Sequence, residues 1–299
     1  MELHEALRSY MTEIAINRGM ARTSSDSYNS DLQQYLTYLE TNGINDVSAI
    51  NKELIYSFIS EQLNNKDKSS VARMISSIRS FHAYLSASTS VVDPAVNIRT
   101  IRKTRYLPRF FNGDDLDRFF LSFSDAPKDV YHHTFFELMY ACGMRVSELC
   151  SLTINQYNRL NGFIRINGKG SKQRLVPIAE SSALLLNHYI DDIRSVYNRK
   201  NLSYIFINQL GNRLTRQYVG VVLKSKEKEL DLSLKLSPHS FRHTFATDLL
   251  ANDADLRVVQ ELLGHSDIST TQIYTHIQQN QLHKAYDQFH PGNRRGTKK

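Results

Sequence analysis

The sequence predicts a mainly α fold in two parts: a helical N-terminal domain, then a mixed α/β domain whose helices carry a small antiparallel sheet. Three observations predict it. Apolar residues recur at helical spacing early in the chain, β-prone segments flank a glycine-rich turn within residues 162–178, and a basic, helix-poor stretch separates these two regions.

In the first region, Tyr28, Leu32, Tyr35, Leu36 and Leu39 share one helix face, as do Val71, Met74, Ile75, Ile78, Phe81 and Leu85. Arg73 and Arg79 lie off the second stripe, where they are available to phosphates, although a solvated face is the commoner fate of any single arginine. Between Asp93-Pro94 and Leu107-Pro108 runs NIRTIRKTRY, and the five basic residues from Arg99 to Arg109 meet no acidic one. The expected division is residues 1–99 as a helical domain, 100–106 as a basic linker and 107–299 as a second domain. Arg102, Lys103 and Arg105 of the linker then reach a nucleic-acid backbone.

Residues 114–123 and 130–144 read as helices. The string GFIRINGKGSKQRLVPI follows, and its segments 163–166 and 175–178 predict an antiparallel hairpin with Lys169 at the tip. Residues 204–208 are expected to extend that sheet. Helical patterning resumes at Pro238 and continues, with short breaks, to residue 289.

With 299 residues, 41% of them hydrophobic and 22% charged, the chain can bury two ordinary cores and has no apolar run long enough to span a bilayer. The start, MELHEALRSY, is amphipathic rather than signal-like. Two cysteines, Cys142 and Cys150, make neither a disulfide framework nor a four-cysteine zinc site, so they are expected to be small buried residues in a protein of the reducing cytoplasm. A net charge of +7 favours a polyanionic partner without requiring one.

The chemistry is concentrated in short stretches. In CGMRVSELCSL, Gly143 closes one helix and leaves Arg145 at a junction, where an ion pair with Glu148 is its ordinary role. Pro238 suits a helix start, and the i,i+3 spacing puts His239 and Arg242 on one face beside an apolar stripe of Phe241, Phe245, Leu249 and Leu250. An arginine fork and a proton-carrying histidine together suit a phosphate. In LLGHSDISTTQIYTH, Gly264 closes a helix, His265 follows it, and Tyr274 comes nine residues later. Among 16 tyrosines, position alone would give Tyr274 little standing.

Taken in order, Arg145, Lys169, His239, Arg242, His265 and Tyr274 resemble the active-site set of the tyrosine recombinase and integrase family. The strings ACGMRVSELCSL, INGKGSKQRLVPI, SPHSFRHTFATDLL and LLGHSDISTTQIYTHI are similar to the bacterial Xer recombinases over most of residues 107–290. The resemblance implies a core-binding domain, then a catalytic domain that cleaves and rejoins DNA through a 3'-phosphotyrosyl bond and resolves chromosome or plasmid dimers. It implies Tyr274 as nucleophile, with Tyr286 the next candidate, and Lys169 as general acid. Lys172 and Arg174 become DNA-backbone contacts. No cofactor or metal is implied. The partners it implies are double-stranded DNA with a specific recombination site and a homotetramer or heterotetramer on two such sites, with room for an accessory activator protein and no role for a membrane. A terminal helix bearing Leu282, Ala285, Tyr286 and Phe289 on one face is expected to dock into a neighbouring subunit; packing on its own domain is the alternative.

Other readings compete. A transposon or phage integrase shares every one of these residues, and a type IB topoisomerase shares the tyrosine chemistry but relaxes supercoils. A helix-turn-helix binder about Gly264 explains the charge but not Arg145 or Lys169. A metalloprotein using His239 and His243, with His265 and His276 downstream, lacks a carboxylate or thiolate to complete a site.

Overall fold

The computed structural model describes residues 1–16, 20, 22–89, 91–101, 111–168, 173–232, 236–264, 286 and 288–290. The chain divides into two compact units, Met1–Tyr106 and Leu107–Lys299.

The first unit is built from α1 (Leu3–Ile16), α2 (Arg22–Thr41), α3 (Lys52–Asn65) and α4 (Lys68–Ser88). Asn51 caps α3 by accepting from the Leu54 amide, and Asp67 caps α4 by accepting from the Ser69 and Ser70 amides, so two otherwise orphaned helix starts are satisfied by the residue types that do this best. Leu32, Tyr35, Leu36 and Leu39 of α2 meet Val71, Met74, Ile75, Ile78, Phe81 and Leu85 of α4 in one apolar core, as their spacing predicts. Polar groups enter that core in pairs: the Tyr35 hydroxyl lies 3.1 Å from His82 Nε2, and the buried Asp31 carboxylate accepts from Ser77 Oγ at 3.0 Å and from Arg73 at 2.6 Å.

In the second unit, α5 (Gly113–Leu121) leads to α6 (Pro127–Ala141), whose Val130, Tyr131, Phe135, Phe136, Leu138, Met139 and Tyr140 are all buried. A helix apolar on nearly every side belongs in the centre, and here it meets an aromatic cluster of Phe119, Phe136 and Phe241. The short α7 (Val146–Ser151) follows, then the antiparallel strands β1 (Tyr157–Asn158), β2 (Phe163–Asn167) and β3 (Gln173–Pro177) in that spatial order. The hairpin register runs from Phe163↔Pro177 to Asn167↔Gln173, so Lys169 and Lys172 belong to its connection, outside the described residues. After it, α8 (Glu180–His188) continues through a π-turn into α9 (Ser195–Tyr197), and α10 (Arg216–Glu229), α11 (Pro238–Ala251) and α12 (Leu256–Leu263) complete the described elements.

Two expectations are corrected. The sheet gains its third strand from Tyr157–Asn158 rather than from residues 204–208, which form only isolated bridges. The reason lies in their backbone partners. The Ile205 amide donates to the Leu152 carbonyl, and Phe206 and Asn208 pair with Leu214 and Asn212, leaving nothing for the hairpin. On α11, Phe241, Phe245 and Leu249 are buried as expected, whereas Leu250 sits one position further round the helix and is 43% exposed.

Candidate active site

The site begins where α6 ends. Cys142 caps the helix and Gly143 follows at φ +55°, a left-handed conformation that glycine adopts most readily. A Cβ added at Gly143 would lie 2.6 Å from Phe245 Cδ1, so glycine is also what lets α11 approach this closely. The turn delivers Arg145 to the N-cap of α7 with its side chain 37% exposed. Glu148, three residues on, turns back to it: one carboxylate oxygen accepts from the Arg145 amide at 2.8 Å and the other from its guanidinium at 2.7 Å. The ordinary ion-pair role and an open guanidinium thus coexist at Arg145.

Glu148 is almost fully buried, and it holds a second arginine. Arg174 of β3 donates through both terminal nitrogens, at 3.0 and 2.8 Å, in a bidentate fork, and its Nε donates to the Leu262 carbonyl at 2.8 Å. Burial pushes the Glu148 carboxyl up, but the hydrogen bonds and charge of Arg174, together with those of Arg145, outweigh it and hold the group below the ordinary glutamate range. Arg242 closes the arrangement. One terminal nitrogen donates to the Gly143 carbonyl and the other to the Leu263 carbonyl, each at 2.6 Å. Desolvation, with the like charges of Arg145 and Arg174 beside it, lowers the Arg242 pKa to about 10, which leaves it cationic at neutral pH.

Each helix end supplies its share for a local reason. At the end of α12, Gly264 is left-handed at φ +67°, and a Cβ there would press to 3.0 Å from Arg174 Cδ. At the start of α11, Ser237 is the N-cap and Pro238 enters the first turn, placing His239 on the exposed side one turn before Arg242. Arg145 and Arg242 are therefore brought to one junction, between α6 and α7. Lys169, His265 and Tyr274, with Lys172, Arg102, Lys103 and Arg105, lie outside the described residues.

Three further expectations change. Arg174 is not a DNA-backbone contact: its side chain is 4% exposed and all three of its nitrogens are committed within the protein. Strand alternation carried the signal, because Arg174 shares a face with Val176 and pairs across the ladder with Ile166, both buried. Arg73 is ion-paired to Asp31 and donates also to the Ser27 carbonyl, so it is not the free cation its position off the stripe predicts, while Arg79 is exposed. Tyr286 is fully buried, donates to the Ala141 carbonyl at 2.9 Å and stacks on His290 at 4.5 Å. Its enclosed hydroxyl, committed to a main-chain carbonyl, is not presented to a DNA phosphate, and burial raises its pKa above the ordinary tyrosine value. Phe289 packs against the same core, and Leu282 and Ala285 lie outside the described residues.

Residues 109–281 match the Phage integrase family, and residues 7–88 match the Phage integrase N-terminal SAM-like domain. The chain is 37% identical over 294 residues to the tyrosine recombinase XerD of Staphylococcus epidermidis, covering 97% of this chain and 99% of that protein. The tyrosine recombinase XerD of Staphylococcus aureus is 36% identical over 293 residues, with 95% and 98% covered. Among solved structures, the fold resembles a lambda integrase dimer bound to a core site, with a TM-score of 0.71 at 16% identity and 91% and 99% coverage. It also resembles the XerH site-specific recombinase in its post-cleavage complex, with a TM-score of 0.69 at 24% identity and 90% and 81% coverage. An arginine-bearing helical domain with a three-stranded sheet, preceded by a helical SAM-like domain, defines the class as the integrase fold. The chain belongs to the phage integrase family and is a tyrosine site-specific recombinase.

Proposed function

We propose that this recombinase cleaves a specific double-stranded DNA site by attack of the Tyr274 hydroxyl on a backbone phosphate, forming a 3'-phosphotyrosyl bond and releasing a 5'-hydroxyl. The observation that carries the reading is the convergence of Arg145 and Arg242 on the α6–α7 junction, one paired to Glu148 and the other bound to the Gly143 carbonyl. A phosphodiester repels nucleophiles, and two guanidinium groups bracketing its nonbridging oxygens neutralise that charge and stabilise the crowded transition state. His265 adds a donor. His239, exposed beside Arg242, takes the tyrosine proton. A tyrosine of ordinary pKa, about 10, is a weaker base than the alkoxide it displaces, so the leaving oxygen needs a proton, which Lys169 supplies. The covalent bond retains the energy of the broken phosphodiester, so another strand's hydroxyl can reseal it.

Residues 1–99 serve as the core-binding domain, 100–106 as the basic linker and 107–299 as the catalytic domain, with Arg79, Arg102, Lys103, Arg105 and Lys172 on the DNA backbone. Identity of 36–37% to XerD proteins along nearly the whole chain favours resolution of chromosome or plasmid dimers by a tetramer on two sites, in the cytoplasm, over integration of a mobile element. The test is covalent capture on a suicide substrate nicked beside the cleavage point. Wild type should give a denaturation-resistant adduct, and Tyr274→Phe should bind the DNA and give none; an adduct from Tyr274→Phe removes the assignment.

A further inference from the structure

We infer that Arg174 is a positioning residue for the cleavage step, acting through Glu148 on the phosphate-facing guanidinium of Arg145 and through the Leu262 carbonyl on the end of α12. The inference rests on the reading of Arg145 as a phosphate clamp.

Arg174 touches three separate parts of the domain. Its backbone belongs to β3, immediately after the hairpin connection that carries Lys169. Its fork fills one side of the Glu148 carboxylate, and Arg145 fills the other. Its Nε fixes the Leu262 carbonyl, three residues before His265. A guanidinium is planar and rigid, so these three distances are set together: displacing any one partner moves the other two. Lysine keeps the charge but has a single point of donation and cannot hold a bidentate carboxylate and a carbonyl at once.

The burial pattern shows the direction of the effect. Arg174 is 4% exposed and Glu148 5%, whereas Arg145 is 37% exposed. Two inner members of the cluster are locked, and the outer one alone faces solvent. Without the fork, the carboxylate is free to rotate toward whatever donor remains, and Arg145 follows it. The turn at Gly264 is shaped around the same side chain, whose Cδ would lie 3.0 Å from an added Cβ. Arg174 therefore orders groups that meet the phosphate while staying out of reach of the phosphate itself.

The experiment compares wild type, Arg174→Lys and Arg145→Ala in full-length form on a nicked suicide duplex, measuring single-turnover adduct formation, duplex affinity and thermal unfolding. Arg174→Lys should bind the duplex within about twofold of wild type and form adduct about a hundredfold more slowly, the scale of a reacting group misplaced by about an ångström. A second duplex carries a methylphosphonate at the scissile position, which removes the nonbridging charge that Arg145 serves. On it Arg174→Lys should recover most of its deficit, a recovery that simple loss of folded protein cannot produce. Equal deficits on both duplexes, or a wild-type rate on the ordinary one, overturn the inference. If Arg174→Lys does not melt cooperatively, the pair Glu148→Gln with Arg174→Gln, which buries no unmatched charge, takes its place. Adduct formation by that pair at the wild-type rate overturns the inference, and a slowed rate with methylphosphonate recovery supports it. Arg145→Ala separates the two failures: normal cleavage by Arg145→Ala removes the clamp itself, whereas its loss beside an unimpaired Arg174→Lys removes the role of Arg174 alone.

Discussion

Among the described residues, each unit buries one carboxylate beside arginine, and the two respond in opposite directions. Asp31, in the N-terminal unit, is 2% exposed, and its arginine partner, Arg73, is 43% exposed; desolvation dominates and raises the carboxyl above its usual value despite Arg73 and Ser77. Glu148 is just as buried, but two arginines hold it, one of them equally buried, and its pKa falls. The number and burial of the cationic partners decide whether a buried acid is a tolerated cost or a fixed anion. In the N-terminal unit the acid joins two helices. In the C-terminal unit it holds Arg145 of the α6–α7 junction and Arg174 of β3.

The sharpest way to break the contrast is Glu148→Ala, which strands Arg174 in the interior. Loss of one partner from a buried pair costs about 3–5 kcal/mol, so urea denaturation should register a fall of that order, together with lost cleavage. A fall below about 1 kcal/mol would mean that the network is not what fixes the junction. Acid provides the second lever. Burial lowers His82 in the N-terminal unit, and His132 and His133 in the catalytic unit, to about 4 from 6.5. Between those values the unfolded chain binds protons that the folded chain does not, so stability falls as pH drops from 6.5 toward 4. For His82, nearly enclosed, the change is about 3 kcal/mol, and His82→Gln should flatten that part of the pH profile when the slow-exchanging amides of α4 are followed by hydrogen exchange. A profile unaltered by the substitution would place the acid sensitivity elsewhere. The smallest effect is expected at Asp31. Asparagine keeps an acceptor for Ser77 and Arg73 and removes a charge that burial disfavours, so Asp31→Asn should change stability by less than about 1 kcal/mol. A loss as large as that from Glu148→Ala would erase the distinction between the two sites.

How far the sequence speaks follows the same division. Two helices of the N-terminal unit are legible because large hydrophobic and tyrosine side chains recur at helical spacing on one face, and the hairpin because its glycines and β-branched residues agree. The third strand escapes sequence reading because Tyr157–Asn158 is only two residues long, while residues 204–208 look β-prone yet spend their backbone groups on Leu152 and on their own return. At the candidate site, residue type and order single out side chains suited to phosphate chemistry, but not which way an arginine faces. The charge of Arg174 points to a DNA-backbone contact while strand alternation points to the interior, and the carbonyl partners of Arg242 have no sequence signature at all.

Arg242 is held by the carbonyls of Gly143 and Leu263, and a carbonyl is present whatever side chain occupies its position. Drift at residue 263 therefore leaves this tether intact so long as α12 ends at the same place, while position 143 is restrained by backbone conformation rather than by any group it offers. An arginine fastened to main chain in this way can keep its place as much of the surrounding sequence turns over, which accords with a fold still shared with lambda integrase at 16% identity.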